Sequence, residues 1–281
     1  MQKNLTFLTF VAMMLTSSIV LADFNTVNQV RNDFNSLNGG DGAVFTVEFK
    51  SDFTSLGSGG RYQGEIRVHL TGESPSLRGY SPLVSSANSF QTFCIQSQED
   101  ISAGTAYTGT LNLSGSSGNY YSSSQGRGGT VISKGTAMLY QLFASGKLLD
   151  YNYSGSHAND AAELQEAFWK LQGQIGINSL TPLTVADWTN NRYLNQLMGM
   201  DSNTAGWLEI YDPTQDNSDY IVLVMNNQEA STGANAQNFL YLSERNHNFS
   251  TPEPATFCLW GLGCTVFLLR SRRKSLLNKE K

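Results

Sequence analysis

The chain has 281 residues, 40% hydrophobic and 15% charged, with a formal net charge of -5. That balance excludes a basic stripe of the kind a nucleic-acid binder needs. The three cysteines exclude a disulfide framework, because two of them sit inside one apolar segment near the C-terminus.

The first residues carry Lys3, an apolar run from Leu5 to Leu21 broken only by small polar residues, then Val20-Leu21-Ala22 before Asp23. A short basic start, an apolar middle and small residues at the cut define a secretory signal peptide over residues 1–22. A retained membrane anchor is the alternative. Residues 23–250 form the extracytoplasmic body, long enough for one substantial core or two small ones. The basic residues are concentrated partly in the C-terminal tail, so this body is more acidic than the whole chain.

Apolar and polar residues alternate over Ala43–Lys50 and Tyr62–Leu70, which predicts strands with one buried face. Weaker strand signals lie at Ser89–Ile95, Thr105–Leu113, Ile221–Asn226 and Asn238–Leu242. Gly/Ser/Asn stretches such as "SLGSGG" and "LSGSSGNYYSSSQGRGG" read as turns and a long exposed loop carrying Tyr120 and Tyr121.

Over residues 135–200 the period becomes helical. In "GTAMLYQLFASG", Met138, Leu139, Leu142 and Phe143 share a face and Gly146 is a stop signal. In "NDAAELQEAFWKLQG", Leu164, Ala167, Phe168 and Leu171 make an apolar stripe ended by Gly173. Asp160 and Glu163 there have the spacing of a capping box. Thr184 to about Met200 carries Val185, Trp188, Leu194 and Leu197, with Thr184 as the cap. Strands, a helical block, then strands returning predict an α+β fold: a β-sandwich or barrel-like body with a helical insertion.

Without the C-terminal cysteines, Cys258 and Cys264, the body keeps Cys94 alone. A thiol in an oxidising space is buried, blocked or reacted. Burial fits the strand-like run holding Phe90 and Phe93, since cysteine is among the most buried residue types. Reaction is the other route, and a resemblance gives it a form. "TFCIQSQE" around Cys94 and "ELQEAFWKL" around Gln165 resemble the thioester domains of bacterial surface adhesins. The glutamine block of that family runs Thr-Gln-x-Ala-Ile-Trp; here Gln165, Ala167 and Trp169 match, while Leu164 and Phe168 replace Thr and Ile. The likeness extends over residues 90–172. It implies a thioester between Cys94 and Gln165, with Phe93, Phe168 and Trp169 as shielding aromatics, and covalent attachment to an amine-bearing ligand.

The tail reads "TPEPATFCLWGLGCTVFLLRSRRKS". Pro252-Glu253-Pro254 precedes an apolar segment, residues 255–269, and the cluster Arg270, Arg272, Arg273 and Lys274 follows. The segment is short for a span but can lodge across a membrane as a transmembrane helix, with the cations held in the cytoplasm. Residues 251–281 together resemble the PEP-CTERM sorting signal of Gram-negative bacteria that make exopolysaccharide. That resemblance implies an exosortase as partner, tail removal, and delivery to the cell surface or the matrix.

Other chemistries are less well supported by spacing. Cys94 with His157 offers a thiol and an imidazole, but no cysteine-hydrolase signature surrounds either, so no enzyme is expected. His69, His157 and His247 are scattered, so neither a metal site nor a cofactor is expected. "YDPTQDNSDY" holds Asp212, Asp216 and Asp219, without EF-hand spacing. The expected role is adhesion or matrix structure. The alternative is a non-covalent polysaccharide-binding module in which Cys94 is a core thiol and aromatic residues stack on sugar.

Overall fold

The computed structural model describes residues 27–49, 54–56, 62–71, 89–96, 101–115, 130–173, 183–216 and 218–244. All belong to the first of two units, Met1–Arg245. The expected signal peptide, Tyr120, Tyr121 and the whole of residues 251–281, with Pro252, Glu253, Pro254, Arg270, Arg272 and Arg273, lie outside the described residues. Among the described residues, no helix is long and apolar enough to cross a membrane.

The body is a mixture of helices and antiparallel sheet, an α+β fold. Its strands are β1 (Ala43–Glu48), β2 (Thr54–Leu56), β3 (Tyr62–Gly64), β4 (Ile66–Thr71), β5 (Ser89–Thr92), β6 (Tyr107–Asn112), β7 (Ser114–Gly115), β8 (Thr130–Val131), β9 (Tyr220–Glu229) and β10 (Asn235–Glu244). Its helices are α1 (residues 27–35), α2 (Lys134–Ala144), α3 (Ala158–Leu171), α4 (Val185–Asn190), α5 (Arg192–Met200) and α6 (Thr204–Trp207).

Six strands form the main sheet in the order β10-β9-β6-β1-β4-β5, every pair antiparallel. Beyond β5 the chain bridges back to the opposite edge: Cys94 pairs with Phe239 of β10. The Ile95 N–H donates to the Asn238 carbonyl at 3.1 Å, and the Leu240 N–H to the Phe93 carbonyl at 3.1 Å. The sheet therefore curls until its two edges meet. This seam is reinforced by Tyr140, whose hydroxyl donates to the carbonyls of Gln91 and Leu240 at 3.2 and 3.1 Å.

Strand alternation divides the apolar residues between two cores. One gathers Phe45, Val68, Phe90, Cys94, Leu111, Leu223, Met225, Phe239 and Tyr241 with Val27, Val30 and Phe34 of α1. The other joins Phe93, Ile95, Val222, Val224, Leu240 and Leu242, from the opposite face, to α2, α3 and α5. Phe93 and Ile95 thus face the helices, while Cys94 between them faces the first core.

Several sequence expectations need correction in detail. The 62–70 run is two strands, because Gly64 breaks it at a φ of 125°. The 184–200 segment is two helices divided at Asn191, which is extended and whose side chain accepts the N–H groups of Tyr193 and Leu194 to start the second. Thr184 does cap the first, with Asp187 completing the box. Helix α1 adds to the expected elements, with Val27, Val30 and Phe34 at helical spacing and buried.

Candidate functional site

The placement of Cys94 starts with Gly64. Ile66 of β4 lies opposite Thr92 of β5, and continuing that register would set Gly64 against Cys94. Instead Gly64, in a backbone region that L side chains rarely adopt, turns β3 away to pair with β2. The position on the ladder next to Cys94 passes to a side chain. The Cys94 N–H donates to Gln165 Oε1 at 3.0 Å, and Gln165 Nε2 donates to the Cys94 carbonyl at 2.7 Å. A primary carboxamide has the donor and acceptor of a peptide unit, so Gln165 stands in for the missing strand residue.

Gln165 gets there because of where it sits on α3. Leu164, Ala167, Phe168 and Leu171 bury the apolar stripe against the helix-side core, and Gln165 lies beside it at 1% exposure. Cys94 is 4% exposed. Both partners are therefore out of bulk water. They are 71 residues apart in sequence.

The expected capping box does not form. His157 is the N-cap and makes no side-chain cap bond. Asp160 instead accepts from the Asn152 N–H and from Arg192 Nη2, at 2.8 and 2.7 Å, and Glu163 accepts from the Arg192 N–H at 2.8 Å. The arginine at the start of α5 draws both carboxylates away from the end of α3. Gly173, at a φ of 67°, does follow the end of the helix.

The start of α3 is held by a buried charged cluster that the sequence reading missed. Glu65, fully buried, accepts from the Tyr151 hydroxyl and from Gln91 Nε2, and lies 2.9 Å from His157 Nε2. The His157 Nδ1 faces the Gly155 carbonyl at 2.8 Å. Burial pulls the imidazole pKa down, but the hydrogen bond and charge of Glu65, with Gly155 and Asp160, outweigh it and the net shift is upward. For Tyr151, burial and then the charge and hydrogen bond of Glu65 all push the phenol upward. Both ring nitrogens of His157 face oxygen atoms of the fold, Glu65 on one side and the Gly155 carbonyl on the other.

The expected shielding aromatics take different places. Phe93 and Phe168 are fully buried, their ring centroids 5.1 Å apart, in the helix-side core. Trp169 follows Gln165 by one helical turn and is 9% exposed. Asp212 and Asp216 do not converge on a cation position: Asp212 accepts from Thr214, and Asp216 from Gln141, Tyr211 and Ser218. Among the described residues, no group of three or more His, Cys, Asp or Glu is placed to hold a metal ion.

The sequence resemblance pairs Cys94 with Gln165, and the structure brings the amide of one to the backbone of the other. Compared with models of protein families, with curated proteins and with solved structures, the chain matches none of them.

Proposed function

We propose that this is an exported surface or matrix protein, sorted by an exosortase through its C-terminal signal, that attaches covalently through a thioester between Cys94 and Gln165. The observation that carries this reading is the pair of hydrogen bonds holding the Gln165 carboxamide on the Cys94 backbone. The edge-to-edge bridge at Cys94 supports a barrel-like body with the helical block packed outside it.

The geometry suits the chemistry. A carboxamide in a ladder position lies near the plane of the sheet, so the faces of its carbon point out of that plane. The side chain of a strand residue leaves in the same direction. Rotation about the Cα–Cβ bond is the motion that the proposed attack requires of the sulfur. The Cys94 N–H on Oε1 polarises the carbonyl and stabilises the oxyanion as it forms.

Attack of the thiol sulfur on the Gln165 side-chain carbon makes a C–S bond. The C–N bond then breaks, and the thiol proton leaves with the amide nitrogen as ammonia. A primary amine on a surface ligand reverses the logic: it forms a new amide at Gln165 and returns the thiol. Burial keeps water, the competing nucleophile, from the bond.

A second reading rests on the packing of Cys94 among Phe90, Phe239 and their neighbours: a core thiol in a non-covalent matrix protein. Intact mass of the purified protein separates the two. A mass short by one ammonia, made up by added methylamine with appearance of a reactive thiol, supports the thioester. The full mass, with a thiol that reacts only on unfolding, ends that reading and leaves the core thiol.

A further inference from the structure

We infer a second, non-covalent site, a cleft for a neutral sugar between α2 and the segment that joins α6 to β9. The cleft has a volume of about 440 Å³, inside the range of roughly 300–1,000 Å³ common for small-ligand sites. Met138, Trp207, Ile210 and Tyr211 supply its apolar lining, and Asp212 and Gln215 polar lining beside it.

Its walls are fixed before any ligand arrives. Segment 209–211 is bridged to 132–134: Ser133 pairs with Ile210, the Lys134 N–H donates to the Glu209 carbonyl at 2.8 Å, and the Tyr211 N–H to the Ile132 carbonyl at 2.8 Å. The Trp207 indole N–H donates to the Asp201 carbonyl at 3.1 Å, and the Tyr211 hydroxyl to Asp216 Oδ2 at 2.8 Å. The polar tips of both rings are thus engaged by the protein, and their apolar surface is what they offer to a ligand. Ile210, on this pinned segment, is 53% exposed and adds aliphatic surface to the cleft.

An aromatic and aliphatic surface beside carboxylate and amide groups matches the chemistry of a sugar ring, which has an apolar face and hydroxyls at its rim. Charge narrows the class. Asp212 and Asp216 line the cleft, and Lys134, the one cation among its described lining residues, is ion-paired to Glu209. A uronic acid or sulfated sugar meets like charge there, so the ligand is a neutral saccharide unit of a polysaccharide.

The site is independent of the thioester. Electrophoresis of the full protein through native gels containing a soluble glucan, a mannan, a galactan or a polyuronate tests it. At least one neutral polymer is expected to retard the wild-type protein, and the polyuronate is not. Trp207→Ala is expected to weaken that retardation about tenfold, and Gln215→Ala, on an exposed residue, several-fold. Trp207→Phe keeps most of it, and Cys94→Ala keeps all of it. Thermal melting confirms that each variant is folded. Failure of every neutral polymer to retard the protein, retardation by the polyuronate alone, or full retention in folded Trp207→Ala and Gln215→Ala would overturn the proposal.

Discussion

Among the described residues, two side-chain amides grip a strand in the same way. Gln165 binds the N–H and carbonyl of Cys94, and Asn35 binds those of Leu111, at 2.7 and 3.1 Å. The circumstances also match. Ala43 at the start of β1 lies opposite Gly109 of β6, so Leu111 stands just beyond the end of its neighbour, as Cys94 stands beyond the end of β4. A carboxamide completes a ladder where a strand runs out, and that is a structural device in its own right. Two things distinguish the Cys94 clamp. It is buried where the other is half-buried, and the residue it grips carries a sulfur in place of an isobutyl group. The clamp positions an amide; in the proposed reaction the cysteine beside it is the nucleophile.

The comparison can be broken most forcefully at Gln165. Gln165→Ala removes two buried hydrogen bonds and is expected to destabilise the fold by about 2–4 kcal/mol, read as a shift in the denaturant midpoint. It also removes any ammonia deficit. Asn35→Ala, at the more solvated clamp, is expected to cost about 1–2 kcal/mol and to leave the mass behaviour untouched. A loss at Asn35 equal to that at Gln165 would show that burial does not separate the two clamps. Cys94→Ala keeps the Gln165 grip, costs about 1 kcal/mol and restores the full calculated mass; an ammonia deficit surviving in that variant would place the chemistry elsewhere.

The smallest effect concerns pH. Both clamps are neutral, whereas the start of α3 is held by His157 on Glu65. The folded-state pKa of His157 lies above its unfolded value, so its contribution is complete below the unfolded pKa and is lost as pH rises through the folded one. The melting temperature is therefore expected to fall modestly over that window in the wild-type protein. His157→Gln is expected to flatten that slope; an unchanged slope would mean that another group titrates.

The parts of this architecture legible in sequence are those written in local period. The stripe of α3, the stops at Gly146 and Gly173, the cap at Thr184 and the alternation in Ala43–Glu48 all follow from neighbours a turn or a pleat apart. What period does not carry is the meeting of distant segments. Glu65 looks like an ordinary polar position in an alternating run, and nothing local says that Tyr151 and His157 will enclose it. Asp160 and Glu163 have the right spacing for a cap, but Arg192, from another helix, outcompetes the backbone for them. Only a resemblance between short motifs, and no local period, links Cys94 to Gln165. The role of Gly64 in vacating the ladder depends on a register that appears only once the sheet is built.

The seam at Cys94 also sets an order of events. The Cys94–Gln165 grip comes from elements formed by residue 171, but the other side of that strand is supplied by β10, near the end of the described body. A chain still being made can form the hairpins and helix α3, yet residues 93–95 stay open along one edge until the last strand arrives. Contacts of such wide sequence separation are slow to form. Cys94 is enclosed only when β10 is in place, so the proposed bond would have its shelter from water only in the completed body.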